Sequence, residues 1–283
     1  MSGIKDKFIN MNKAIFRDLV PPFIFKLLKR NKSTSVCYGS YDDALKHCLQ
    51  SYEDADLVKV VVEKNIKFRE SIAAERVFDI GALRTLIGVC LALPGKKKLR
   101  VLDFGGGGGY HYLIARAAIP GEIDLQWNVV ETSALVQAAK KINQKELKFF
   151  NSITDAKMDL ETIDLVFTSG TLHCCPDPLY FLEELVKLNA KHLMITRTCF
   201  TDTLEQRVII QKSLLSENGP GPLPSGVVEK QLYYPNVFSS RSQVEKIIQS
   251  NYEIILKINE DKSIFRLDDI SINMYGYYAK LKS

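Results

Sequence analysis

The sequence predicts an α/β fold: an open, mostly parallel sheet with helices on both faces, preceded by a helical extension. Three observations carry that expectation. Short apolar runs alternate with helical stretches from Leu99 onward, a glycine-rich turn follows the first run, and the segment before Leu99 has helical periodicity.

Taken in order, residues 40–93 read as helical. Ser40-Tyr-Asp-Asp43 has the pattern of a helix start, apolar residues recur at three-to-four spacing through Leu57, Val60, Val61, Ile66, Phe68 and Ile72, and Gly81 and Pro94-Gly95 punctuate the run. Five strands are then expected at 100–104, 125–131, 147–150, 163–167 and 192–196. After Thr198 the alternation stops. Residues 201–240 are rich in turn formers around Gly219-Pro-Gly-Pro-Leu-Pro-Ser-Gly226 and read as a loop or lid. A helix at 242–250, an apolar run at 252–258 and an aromatic strand at 274–281 complete the chain, without internal repeats. The expected organisation is a basic segment and helical cap over 1–95, then a main domain over 96–283 that carries 201–240 as an insertion.

With 46% hydrophobic and 25% charged residues in 283, the composition excludes disorder and collagen. No apolar run approaches the ~20 residues of a membrane span, and the first residues lack the pattern of a signal peptide, so a cytoplasmic location is expected. The net charge of +5 is local: residues 1–35 hold +6 and the remainder −1. Those basic residues stand beside Ile15, Phe16, Leu19, Phe23, Ile24 and Phe25 rather than on a broad recognition face, which argues against nucleic acid. Two readings stay open: peripheral contact of 1–35 with anionic lipid at the inner membrane face, or a segment packed on the domain with its lysines in water. Pro21-Pro22 breaks any single long amphipathic helix there. Six cysteines without Cys-x-x-Cys and four histidines without ligand spacing give no metal site.

The strongest local signal is Val101-Leu-Asp-Phe-Gly-Gly-Gly-Gly-Gly-Tyr110, a strand ending in an acid and five glycines. Glycine lets a ligand approach the main chain closely. The dinucleotide pattern Gly-x-Gly-x-x-Gly needs glycines over six positions, which this run does not supply, and no Gly-Lys-Ser/Thr follows. NAD and a P-loop nucleotide are therefore disfavoured.

Asp103-x-Gly105-x-Gly107-x-Gly109 resembles the acidic loop at the first strand end of class I S-adenosylmethionine-dependent methyltransferases. Glu131, ending the second strand, matches the acid that accepts both ribose hydroxyls there. Residues 163–178 are similar to the strand and loop beside the transferring methyl. More narrowly, the chain resembles a family of methyltransferases found among surface-polysaccharide biosynthesis proteins. The matching pieces are Leu19-Val-Pro-Pro-Phe23, Tyr38-Gly-Ser-Tyr41 with Ala44, Asp103-Phe-Gly-Gly106, Trp127 with Val130-Glu131, Ser169-Gly-Thr-Leu172 with Asp177-Pro178, and Arg197-Thr198, spanning about residues 15–200.

The resemblance implies a Rossmann-like fold with a seven-stranded, mostly parallel sheet and an antiparallel C-terminal strand. It also implies S-adenosylmethionine as cofactor, held by Asp103, Gly105, Gly107, Gly109 and Glu131, with Asn151, Ser152 and Ser169 at the third and fourth strand ends. The expected activity is methyl transfer to a hydroxyl or amine of a small-molecule or glycan acceptor. A non-catalytic cofactor-binding protein and a nucleotide-sugar or membrane-surface interaction protein are the competing readings. A general base helps when the acceptor is a hydroxyl. His173, after the fourth strand, and His111, at the start of the helix after the glycine loop, are the candidates. Arg197, at the end of the fifth strand, is placed to hold an anionic acceptor or to organise the lid through a salt bridge. Tyr233, Tyr234 and Phe238 offer an acceptor wall or core packing.

Overall fold

A computed structural model describes residues 36–48, 52–267 and 270–283. The basic segment 1–35, with its expected lipid contact, lies outside the described residues. No helix among them is long and apolar enough to cross a membrane.

The main sheet is built from strands β2 (Lys98–Phe104), β3 (Asp124–Val130), β4 (Leu147–Phe150), β5 (Leu165–Ser169), β6 (His192–Phe200), β9 (Tyr252–Leu267) and β10 (Ile270–Leu281), in the order β4-β3-β2-β5-β6-β10-β9. The first four pairings are parallel. Strand β10 runs antiparallel to both β6 and β9, so it alone opposes the rest. Alternation across the pleat explains why β2 is apolar on both sides: Leu99 and Val101 enter one core, Leu102 and Phe104 the other.

Helices α2 (Ala55–Ala74), α3 (Leu83–Ala92), α4 (Tyr110–Ala118) and α5 (Ser133–Ala139) cover the first face, burying Val58, Val62, Val89, Ala115 and Leu135 against Trp127 and Phe167. Helices α6 (Ile153–Leu160), α7 (Pro178–Val186) and α8 (Arg241–Asn251) cover the second, with Leu160, Leu182, Leu185 and Ile248 against Val166 and Leu193. Helix α2 begins where Asp54 accepts the N–H groups of Asp56 and Leu57, and the short α1 (Tyr41–Lys46) is capped in the same way by Ser40. The helical segment breaks at 75–79, where Asp79 caps a new turn over Ile80–Ala82.

The expectation of a turn-rich loop over 201–240 is corrected by the structure. That segment contains β7 (Arg207–Leu214) and β8 (Gln231–Phe238), an antiparallel hairpin joined by β1 (Cys37–Tyr38) into a second, three-stranded sheet. Val208, Ile209 and Ile210 supply the β-branched run, while the glycines, and every proline of the segment except Pro235 in β8, sit in the hairpin connection. Leu232 and Tyr234 pack on Leu57 and Val60 of α2, and Phe238 packs on Ile272 of the main sheet. The connection is also pinned to α2 by Lys64, whose buried Nζ donates to the carbonyls of Ser216 at 2.7 Å and Asn218 at 2.9 Å. Strands β6, β9 and β10 are longer than their apolar runs suggest, because each continues through polar residues that the neighbouring strand pairs.

Candidate functional site

Parallel strands bring their C-terminal ends to one edge, and the glycine loop lies there after β2. Asp103, fully buried, accepts the indole N–H of Trp127 at 3.0 Å through Oδ2 and meets His111 Nδ1 with the same oxygen at 3.0 Å. Its Oδ1 has no hydrogen-bond partner among the described residues. A buried carboxylate oxygen left so is costly unless something approaches it.

Gly105 has φ +73°, its N–H donates to the Val130 carbonyl, and a β-carbon there would stand 2.1 Å from Thr171 Oγ1. Thr171 in turn donates to the Gly105 carbonyl at 3.2 Å, tying the loop to the turn after β5. Gly107 also has positive φ, at +58°, but a β-carbon would meet only Val61 Cγ1 at 3.8 Å. That is an ordinary van der Waals contact, so a side chain there meets no clash. Gly106 and Gly108 permit close approach of Asp103 and of Asn65 from α2, whose amide also donates to Val61. Gly109 opens α4 against Leu147.

Glu131 follows β3 beside this loop. Its Oε1 accepts the Gly107 N–H and its Oε2 the Thr132 N–H, each at 3.0 Å. Burial pushes its carboxyl up; the two N–H bonds oppose the rise and the charge of Asp103 adds to it. Each carboxylate oxygen keeps acceptor capacity for a further donor. Glu131 is thus joined directly to the glycine loop at Gly107, while Asp103 is buried behind the loop. Ser169 ends β5 next to it and accepts from Thr171 at 3.4 Å. Ser152 caps α6, its hydroxyl engaged with Asp155, and Asn151 is exposed, donating to Ser133 at 3.4 Å.

His111 is buried, with its ring edge on Phe167 and Nδ1 on Asp103, so it stands beneath the loop. His173 occupies a turn over Leu172–Cys174, buried, with Nδ1 accepting the Cys199 N–H at 3.5 Å. Burial first, and then the charge of Arg197, lowers its pKa to about 4. Arg197 is exposed on β6, with Gly170 beside its guanidinium. Tyr234 stacks on Tyr52 at 4.4 Å and Phe238 is fully buried, so both belong to the core. Tyr233 is half-buried and donates to Gln231.

Sequence reasoning missed four contributors. Thr171 and Asn65 shape the glycine loop. Tyr110 packs its ring on Phe68 at a tilt and approaches Asp79 with its hydroxyl at 3.5 Å, and Glu260 is buried between Arg84 and β6. Tyr110 was legible as the residue after the last glycine and Thr171 as part of the loop after β5; Asn65 and Glu260 are joined to the site only by the fold.

The strand order, with one antiparallel strand inserted next to the last position, defines a Rossmann-like fold of the class I methyltransferase type. No protein-family model matches the chain, and no curated protein sequence does. Among solved structures, the chain is similar to the N-terminal domain of EvdMO1 in the presence of SAH and D-fucose. The identity is 13% and the TM-score 0.46, over 71% of this chain and 82% of that one. It is similar to an S-adenosylmethionine-dependent methyltransferase from Clostridium acetobutylicum at 11% identity and TM-score 0.43, over 77% and 99% of the two chains. It is likewise similar to CalS10, an amino pentose methyltransferase from Micromonospora echinaspora, at 11% identity and TM-score 0.44, over 75% and 96%.

Proposed function

We propose that the chain is an S-adenosylmethionine-dependent methyltransferase acting on a hydroxyl or amine of a small-molecule or carbohydrate-like acceptor. The observation that carries this reading is the join between Glu131 and Gly107, which sets a diol-binding carboxylate beside a glycine cradle at adjacent strand ends. Two features support the cofactor's fit. The orphaned Oδ1 of Asp103 suits an ammonium or a bridging water, and the uncrowded main chain at Gly107, where a β-carbon would touch only Val61, suits a ligand lying on it. S-adenosylmethionine supplies an activated methyl on a sulfonium.

The residues of the chain then divide the work. Glu131 receives the ribose hydroxyls, the glycine loop and Asp103 the amino-acid tail, and His111 and Trp127 hold Asp103 in its orientation. With Nδ1 of His173 accepting from Cys199, Nε2 carries the ring proton, so this histidine offers a hydrogen bond rather than a vacant base. Catalysis in this reading comes mainly from positioning. The sheet of β1, β7 and β8 forms the acceptor-side cover, and the link to surface polysaccharide rests on the sequence resemblance alone.

Calorimetry of the full chain with S-adenosylhomocysteine and with NAD tests the reading. Binding of the adenosyl ligand alone is expected, and tight NAD binding without it overturns the proposal. A methyl-labelled donor incubated with cell extract should then yield labelled small molecules or glycans; their absence despite cofactor binding favours a non-catalytic binder.

A further inference from the structure

We infer that the acceptor carries an oxyanion, a phosphate or a carboxylate, and that Arg197 receives it; the inference rests on the methyltransferase reading above. It begins with a bulge. The pairs Tyr275 with Thr198 and Tyr277 with Ile195 leave Thr196 and Arg197 together opposite Gly276. Arg197 takes φ +52°, a left-handed conformation that is strained for a non-glycine residue. Such strain persists only where the surroundings enforce it.

Here the enforcement is Glu260 of β9, whose side chain is only 3% exposed. It passes over Gly276, accepts the backbone N–H of Arg197 and pairs with Arg84 of α3. The charge of Glu260 is therefore met by Arg84, while its hydrogen bond fixes the main chain from which Arg197 projects. The guanidinium of Arg197 makes no ion pair and no hydrogen bond among the described residues, although it lies next to Gly170 at the C-terminal edge of β5. Nearby acids are engaged elsewhere: Asp79 caps the turn at Ala82, and Glu131 is held by Gly107 and Thr132.

A guanidinium that projects from a fixed main chain, with its planar fork of donors unfilled, suits a planar or tetrahedral oxyanion. Its place fits an acceptor. Thr171, one residue beyond Gly170, holds the glycine loop, and the charge of Arg197 reaches Tyr110, His173 and Cys174 around the same edge. An acceptor anchored here would approach the loop from the side opposite Glu131.

The test is chemical protection of arginine in the full chain saturated with S-adenosylhomocysteine. Phenylglyoxal is added at constant ionic strength, which holds screening fixed, with inorganic phosphate, acetate or neutral glucose, and modification is read residue by residue by mass spectrometry. Arg197 is expected to react, and to be protected about fivefold by phosphate or acetate but not by glucose, while exposed Arg76 responds equally to all three. Stronger protection by phosphate assigns a phosphorylated acceptor, and stronger protection by acetate a carboxylated one. An unreactive Arg197, or one protected by both anions no more than Arg76, overturns the inference. Failure of the chain to bind S-adenosylhomocysteine instead removes the methyltransferase reading, and the anion comparison still reads in its absence.

Discussion

Glu260 and Arg197, 63 positions apart, are joined through the backbone rather than through their opposite charges: the carboxylate of one accepts the peptide N–H of the other. The contact exists because Gly276, on the strand between them, has no side chain in the way. It couples the outer hairpin of the sheet to the C-terminal edge of the parallel strands.

Gly276→Ala should therefore destabilise the fold. The added carbon would stand 2.9 Å from Glu260 Oε1 and 2.9 Å from the Ile195 carbonyl, and the latter, being backbone, yields poorly. A loss of about 1–3 kcal/mol in urea unfolding is expected. Gly121→Ala, where nothing lies within 4 Å, is the control and should stay within about 0.5 kcal/mol of the parent. Equal midpoints for both variants would remove Gly276 from this role.

Gly107→Ala and Gly105→Ala should separate binding from folding. At Gly107 the new methyl would make only an ordinary contact with Val61, so stability should fall by only about 1–2 kcal/mol, from the left-handed backbone, while S-adenosylhomocysteine affinity drops at least ~10-fold, or about 1.4 kcal/mol. At Gly105 the methyl strikes Thr171, and both stability and binding should suffer. Unchanged affinity in a folded Gly107→Ala variant would move the cofactor away from this loop.

Asp103→Asn should weaken both the loop and the proposed cofactor site. An amide cannot serve Trp127 and His111 with one fully charged acceptor, and a loss of about 1–3 kcal/mol is expected where two buried donors lose that partner. Calorimetry and urea unfolding on the same preparation check it; parent-like values in both would make Asp103 dispensable.

The titration of His173 gives a signed dependence on pH. Its pKa of about 4 in the folded chain lies below the usual value of 6.5, so the unfolded chain binds more protons between those two values. Its contribution to stability is therefore intact above pH 6.5, falls as the pH drops toward 4, and is flat below that. The total is roughly 3 kcal/mol. Unfolding free energies of the parent and His173→Gln, compared from pH 7 to pH 4, should diverge by about that amount. Parallel curves would show that His173 is protonated without penalty.

Much of this was legible beforehand, for identifiable reasons. The strands around Leu102, Val129 and Val166 are buried on both faces, so their apolar runs stand out, and Asp103 with the glycines marks the end of the first. The hairpin of β7 and β8 was obscured because the prolines and glycines of its connection dominate the composition of the whole segment, although Val208-Ile-Ile210 carried the strand signal. Glu260 was invisible for another reason. In Asn259-Glu-Asp-Lys262 it reads as one charge of a solvated run, and only the pairing of β9 with β10 brings it over a glycine. The left-handed backbone of Arg197 likewise has no local sign, since arginine does not favour it and a distant residue imposes it.

The indole bonded to Asp103 is the only tryptophan in the chain. Nature has thus wired a single fluorophore to the acid at the mouth of the glycine loop, shielded from solvent and free of any second emitter of its kind. Its emission wavelength and lifetime follow the local field at one carboxylate, so ligand arrival, loop rearrangement and loss of the Asp103 charge can each be followed optically without a label.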